Sequence, residues 1–337
     1  MRLIVASLIG CALVACASAT GFPGRPAASG VRAWQIHYRA HNGAPRNAYV
    51  LLPAWYGPHN HPPIPLVISP HGRGLDGRRN ARLWGQLPAK GGFAVVSPDG
   101  QGRELGAYSW GALGQVDDLA RMPEIVRRTL PWVRIAPKKV YAFGGSMGGQ
   151  ETLLLLARHP HLLAGAAVFD AVTDFRLQYR DFPRLKCDKA CRATWGGPIG
   201  ASLQKLARVE VGGSPTAARL AWKLRSPITY ARAIAASHVP LQFWWSSKDR
   251  IVIDQQRQSK RLFDLIRRLN PLAPVGAYEG YWRHSAEMRA QTRLPLALAS
   301  VGLLPGSYGY LERSVIVTPQ IPPPLRDRGP NPVPTEH

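Results

Sequence analysis

Two periodicities alternate along the chain. From Trp34 to Ala40 and from Asn47 to Leu52, apolar and polar residues alternate, with His41-Asn42-Gly43 between them. That pattern predicts an antiparallel pair of half-buried strands joined by a turn. Further on, the apolar runs are short and continuous: Leu66 to Ile68, Phe93 to Val96, Val140 to Phe143, Leu162 to Phe169, Leu241 to Trp245 and Val275 to Tyr278. Such runs suit strands covered on both faces. Between them apolar residues recur at helical spacing, through Val116, Leu119, Ile125, Val126 and Leu130 within 114–133, along Gln150 to His159, and from Ile253 to Leu269. Ser285 to Ala299 reads as a closing helix. Strands that alternate with helices predict an α/β domain with a mostly parallel central sheet and helices on both faces. Ligands of such sheets bind beyond the carboxyl ends of the strands.

Three stretches depart from this rhythm. Arg2 precedes an apolar run from Leu3 to Ala15 and then small residues, so residues 1–19 read as an export signal. Leu13-Val14-Ala15-Cys16 resembles a lipobox that would place a lipid on Cys16, and Ala17-Ser18-Ala19 equally suits ordinary signal cleavage. Either route takes the protein out of the cytoplasm, as a secreted or cell-envelope protein. No later stretch reaches about eighteen apolar residues, the length a membrane span requires. Residues 20–30 form a tether, 31–304 the domain, and 305–337 a proline-rich extended tail. Within the domain, residues 175–226 are basic and irregular, an insertion that is either a lid over the site or plain packing.

The 337 residues and 45% hydrophobic content suffice for one large core. The formal net charge of +23 invites a nucleic-acid reading, but the basic residues are scattered, with only short pairs such as Arg78-Arg79 and Arg267-Arg268. A solvated basic surface, or adsorption to anionic polymer, accounts for them, and no nucleic-acid partner is expected. Of four cysteines, Cys187 and Cys191 lie outside the signal. A close pair in an exported chain reads as a disulfide, with two free thiols as the alternative. No metal-ligand cluster or cofactor motif is visible, so neither a metal nor a cofactor is expected.

The chemistry-bearing stretch is Gly144-Gly145-Ser146-Met147-Gly148, set between an apolar strand and a leucine-rich helix. There the serine sits on a sharp turn above the sheet edge, as a nucleophile. A serine needs a base, and the base an orienting carboxylate, in the chain order serine, acid, histidine. His159 and His161 lie a helix length from Ser146, His238 precedes a strand, and His337 is in the tail, which leaves His284 as the base. Asp249, just past the Leu241–Trp245 run, is the acid, and Asp170 is the alternative, with Asp174 behind it. The oxyanion would be held by the Met147 amide and by an amide of His71-Gly72-Arg73-Gly74, that of Arg73 or else of Gly72. Trp110, Trp195 and Trp282 are candidates for an aromatic substrate pocket, whereas Trp244 and Trp245 belong to the core.

Gly144 to Gly149, the Ser226-Pro227-Ile228-Thr229-Tyr230 segment, the Asp249-x-x-Val252 loop and His284 together resemble the prolyl oligopeptidase catalytic domain of the α/β-hydrolase superfamily. The resemblance spans roughly residues 45–300. It implies an α/β-hydrolase fold and a Ser-Asp-His triad at Ser146, Asp249 and His284. The chain has no room for the propeller of the full peptidases, and Tyr281-Trp282-Arg283-His284 lacks the glycine usual before the histidine. The expected function is therefore an exported serine hydrolase of carboxylic esters, small or polymeric, acting through an acyl-enzyme. The alternative is a peptidase or aminoacyl hydrolase of the same family.

Overall fold

The computed structural model describes residues 30–185 and 200–306. The expected signal, Cys16, the Cys187–Cys191 pair, Trp195 and nearly all of the tail lie outside the described residues. Among the described residues no helix is long and apolar enough to cross a membrane.

Eight strands form one sheet in the order β1-β2-β4-β3-β5-β6-β7-β8. The first two, β1 (Val31–Arg39) and β2 (Pro45–Pro53), pair antiparallel at one edge, and β2 pairs antiparallel with β4 (Ala94–Pro98). All later pairs are parallel: β3 (Ile64–Ile68) with β4 and β5 (Ile135–Gly145), then β6 (Gly165–Phe169), β7 (Leu241–Ser246) and β8 (Val275–Gly280) in succession. The continuous apolar runs explain this arrangement. Side chains of a strand alternate between faces, and here both faces are buried. Leu66, Ile68, Phe243 and Trp245 pack into one core, while Val67, Phe143, Phe169 and Trp244 pack into another. On the first face lie α3 (Leu113–Thr129) and α4 (Met147–Arg158). Two further helices join them there, α8 (Ala231–Ala236) and α9 (Arg261–Leu269). The second face is covered by α1 (Gly77–Ala81), α2 (Leu87–Gly91) and α10 (Leu294–Ser300).

One expectation is corrected. The closing helix does not run from Ser285 but starts at Leu294. Ser285 is left-handed (φ 51°), its amide is held by the Asp170 carboxylate, and residues 286–293 form turns and bends rather than a helix. Apolar spacing alone does not separate successive turns from a continuous helix.

The insertion contributes α5 (Phe175–Asp181), α6 (Ala201–Val211) and α7 (Arg219–Leu224). It builds a third core in which Phe175, Phe182, Leu203 and Trp222 close over Trp110 and Met147. Glu210 on α6 fastens this cover to the loop after β4. Its carboxylate accepts from the amides of Arg103, Glu104 and Leu105 at 2.7–2.9 Å and from Arg225 Nη1 at 2.8 Å. Arg225 in turn donates to the Ser109 carbonyl at 2.7 Å. Removing one member of such a buried pair strands the other charge, at a cost of about 3–5 kcal/mol. The described part of the insertion is thus a fixed cover.

Candidate active site

Adjacent parallel strands end in the residues that matter. Strand β5 runs into Ser146, β6 into Asp170, β7 into the loop of Asp249, and β8 into the loop of His284. Ser146 has φ 59° and ψ −123°, a conformation that costs a non-glycine residue on the order of 1–3 kcal/mol. The turn is held from both sides: the Ser146 amide donates to the Phe169 carbonyl at 2.8 Å, and the Ser146 carbonyl accepts from Gln150 at 3.0 Å. The flanking glycines are required by space. A Cβ on Gly144 would lie 2.4 Å from the Gly148 carbonyl oxygen, and one on Gly148 would lie 2.3 Å from that of Pro70. The second contact shows how closely α4 abuts the loop that begins at His71.

That loop is set by His71. The Gly100 amide donates to His71 Nε2 at 2.9 Å, so the ring proton sits on Nδ1 and donates to the Gly72 carbonyl at 2.8 Å. Burial holds the imidazole pKa below its ordinary value and keeps the ring neutral, as two bonds of this polarity require. Met147 is the first residue of α4, so its amide has no acceptor within the helix. The Arg73 amide likewise has no acceptor among the described residues. The two expected oxyanion donors therefore flank the loop-to-helix contact at Ser146, and Gly72 lines the same cavity as Ser146.

His284 Nδ1 lies 2.8 Å from Asp249 Oδ2. Asp249 Oδ1 accepts from the amides of Ile251 (2.8 Å) and Val252 (3.0 Å), and Oδ2 accepts from Gln255 Nε2 (3.1 Å). With Nδ1–H donated to a carboxylate, the ring offers its Nε2 lone pair as a base. The next residue, Ser285, lies against the turn that carries Ser146. A Cβ built on Gly145 would lie 3.1 Å from Ser285 Oγ, and Ser285 and Ser146 line one cavity of about 200 Å³.

Asp170, the alternative acid, has another position. Its carboxylate accepts from the amides of Ser246 (2.8 Å) and Ser285 (2.7 Å) and from Trp282 Nε1 (3.0 Å). Burial, and then the neighbouring Asp249 charge, push its carboxyl well above the usual range. Asp170, Asp249 and His284 bring ligand-type atoms within 4.8 Å of one another. The carboxylate oxygens of both aspartates accept from N–H donors.

Trp110 and Trp282 do not form an open aromatic pocket. Each is only 1% exposed. Trp110 packs on Phe175 at 5.7 Å between ring centres, and Trp282 is tied to Asp170 and lies 5.4 Å from the Arg293 guanidinium. Trp244 and Trp245 are core residues, as expected. Asp174 caps α5 by accepting from the Arg176 and Leu177 amides. Sequence reasoning gave no role to His71, Ser285 or Glu151. For His71 the signal was its place beside the glycine loop. Glu151, fully buried on α4, accepts from Ser109 Oγ, and burial pushes its pKa up to about 7.

No family model matches the chain, and no curated protein matches it. Solved structures do. The chain superimposes on S-formylglutathione hydrolase (FrmB) from Staphylococcus aureus with a TM-score of 0.52 at 16% identity, covering 75% of this chain and 92% of that one. The chain has the α/β-hydrolase fold. Porphyromonas gingivalis dipeptidyl peptidase 4 shares this hydrolase fold (TM-score 0.54, 18% identity, 81% of this chain and 35% of that). So does Pyrococcus horikoshii acylaminoacyl peptidase (0.53, 15%, 75% and 37%). The chain thus spans nearly the whole of the first protein and about a third of the two peptidases.

Proposed function

We propose that the protein is an exported serine hydrolase that cleaves carboxylic esters through an acyl-enzyme. The observation that carries this reading is the 2.8 Å pair of Asp249 and His284 beside a left-handed serine at the carboxyl edge of the sheet. In the first half-reaction Ser146 Oγ gives its proton to His284 Nε2 and bonds to the ester carbonyl carbon. The carbonyl oxygen becomes negative and is met by the Met147 and Arg73 amides. The bond to the leaving oxygen breaks as His284 returns the proton to it, which releases the alcohol. Water then repeats the sequence on the acyl-serine and frees the acid. Asp249 holds the ring in the Nδ1–H tautomer and stabilises the imidazolium.

We favour ester over peptide cleavage on the extent of the likeness, since the chain matches nearly all of the S-formylglutathione hydrolase, which cleaves an acyl–sulfur rather than a peptide bond, but a third of each peptidase. Export rests on the Leu3–Ala15 run after Arg2, and lipid attachment on Cys16. The deciding experiment combines a fluorophosphonate probe, mapped to the residue it labels, with a comparison of p-nitrophenyl butyrate and an aminoacyl p-nitroanilide. Labelling at Ser146 with faster ester turnover is expected. Labelling elsewhere or none would sink the hydrolase reading, and faster anilide turnover would make it a peptidase. Radioactive fatty acid incorporated by the intact chain and lost in Cys16→Ser would establish the anchor; absence of incorporation would remove it.

A further inference from the structure

Three arginines are buried among the described residues: Arg73, Arg225 and Arg293. Two face buried glutamates. Arg225 Nη1 is 2.8 Å from Glu210, and Arg293 Nη1 is 2.9 Å from Glu287. Arg73 is 6% exposed and forms no ion pair and no hydrogen bond among the described residues. None of its nitrogens is fully enclosed, so the little surface it keeps includes the guanidinium. A guanidinium carries five N–H donors and keeps its proton. Charged groups are rarely this buried unless paired. Burial presses its pKa down, and the only titratable group opposing that shift is the Tyr108 phenol. The fold supplies an acid to the other two arginines and none to this one.

Its place in the chain says what the acceptor is for. Arg73 lies between Gly72, which lines the Ser146 cavity, and Gly74, whose amide donates to the Ala107 carbonyl at 2.8 Å. Tyr108 follows Ala107, its ring 5.4 Å from that of Trp110, and the Trp110 amide reaches Met147 Sδ at 3.3 Å. Arg73 thus belongs to a glycine loop that is bonded to the stretch covering the residue after the nucleophile. The Ser146 cavity has an apolar floor of Leu75, Leu83 and Met288, carries Arg79 and Arg289, and includes no Asp or Glu in its lining. Two arginines and no carboxylate in that lining favour an anion there.

We propose that Arg73 is a carboxylate-binding residue of the substrate site, and that the substrate is an ester bearing its own carboxylate a few bonds from the scissile carbonyl. This rests on the hydrolase reading above. A monoanion fits better than a phosphate dianion, because a single fork-shaped cation pairs bidentately with one carboxylate and leaves no second charge to neutralise. On binding, the substrate supplies the acceptor that the fold withholds. Orientation of the ester then comes from the same contact.

The test uses two matched pairs of substrates, followed by base titration. Monomethyl glutarate against methyl valerate places the charge on the acyl side, and 4-acetoxybenzoate against 4-methylphenyl acetate places it on the alcohol side. We expect one pair to favour the anion by about 10–100-fold in kcat/KM, the range of a charge-assisted hydrogen bond. That ratio should fall towards unity in Arg73→Gln and part-way in Arg73→Lys, which keeps the charge but loses the fork. Equal or faster turnover of the neutral ester in both pairs would overturn the proposal. So would a preference abolished by Arg289→Gln and retained in Arg73→Gln. Should Arg73→Gln not fold, the Arg73→Lys ratio and the wild-type pairs decide. Thermal stabilisation by monomethyl glutarate, present in the wild type and reduced in Arg73→Lys, reads the same contact without turnover. A protein labelled at Ser146 but indifferent to substrate charge would lose only this inference, whereas one that is not labelled would lose the hydrolase reading.

Discussion

The interior of the sheet and its carboxyl rim obey different rules. In the central strands nearly every side chain is apolar, buried and in ordinary extended backbone, as along Ile64–Ile68 and Gly165–Phe169. At the rim the backbone is forced. Trp110, Ser146, Asp170 and Ser285 all have positive φ. Among the described residues the remaining non-glycine residues of that kind, Lys138 and His238, lie towards the opposite ends of β5 and β7. The rim also collects buried titratable groups, in Asp170, Asp249, His284 and Arg73. The contrast teaches that a relaxed, close-packed interior bears the conformational and desolvation cost of its edge, where strained residues and buried titratable groups gather.

Substitutions at the rim test this division, because they should reduce activity far more than stability. Ser146→Ala should lower ester turnover by about 10⁶-fold while the thermal midpoint barely moves. Residual turnover near wild type would relocate the nucleophile. Asp249→Asn should lower kcat by roughly 10⁴-fold, since an amide can hold the ring in the wrong tautomer. Gly148→Ala breaches the boundary itself: its Cβ would press on Pro70 and displace the glycine loop, with a loss of about 10²–10³ in kcat, the range of one oxyanion donor. Unchanged turnover would show that the loop does not present a donor. Asp170→Asn sharpens the comparison within the rim. Asp170 holds the amide after His284 rather than the ring, so misplacement should cost about 10²-fold. A loss as large as that of Asp249→Asn would make Asp170 the true orienting acid.

The smallest expected effect is on stability and lies beneath the rim. Glu151 has its pKa raised to about 7 by burial, so the folded protein holds its proton more tightly than the unfolded chain does. The resulting stabilisation is fully present below the unfolded value, about 4.5, and is lost as pH rises to about 7. It amounts to about 3 kcal/mol. Glu151→Gln should flatten the fall in thermal midpoint across that window. Asp170, shifted the same way, leaves part of the slope in place. A slope unchanged by Glu151→Gln would mean that Glu151 is ionised throughout.

The same division explains what the sequence revealed. Continuous apolar runs and helical spacing gave the sheet and most of its cover, because burial on two faces leaves a pattern that needs no knowledge of partners. The glycine-cornered serine, the aspartate after β7 and the histidine after β8 were legible because each follows its strand at once. What stayed hidden depends on residues far apart in the chain. Asp170 takes the Ser285 amide 115 positions away, and the stretch that apolar spacing reads as helix from residue 285 runs in turns until Leu294. Trp110 and Trp282 looked like pocket residues, but Phe175 and Asp170 enclose them. The missing partner of Arg73 could be noticed only once its neighbours were known.

The grip of Glu210 on three successive amides of the loop after β4 has a further consequence. Helix α6 and that loop are tied, so any opening of the described cover would carry both. On the reading proposed above, a substrate that leaves them in place would enter past Arg79 and Arg289 at the cavity that holds Ser146. The width of that mouth would then set how bulky an ester could enter.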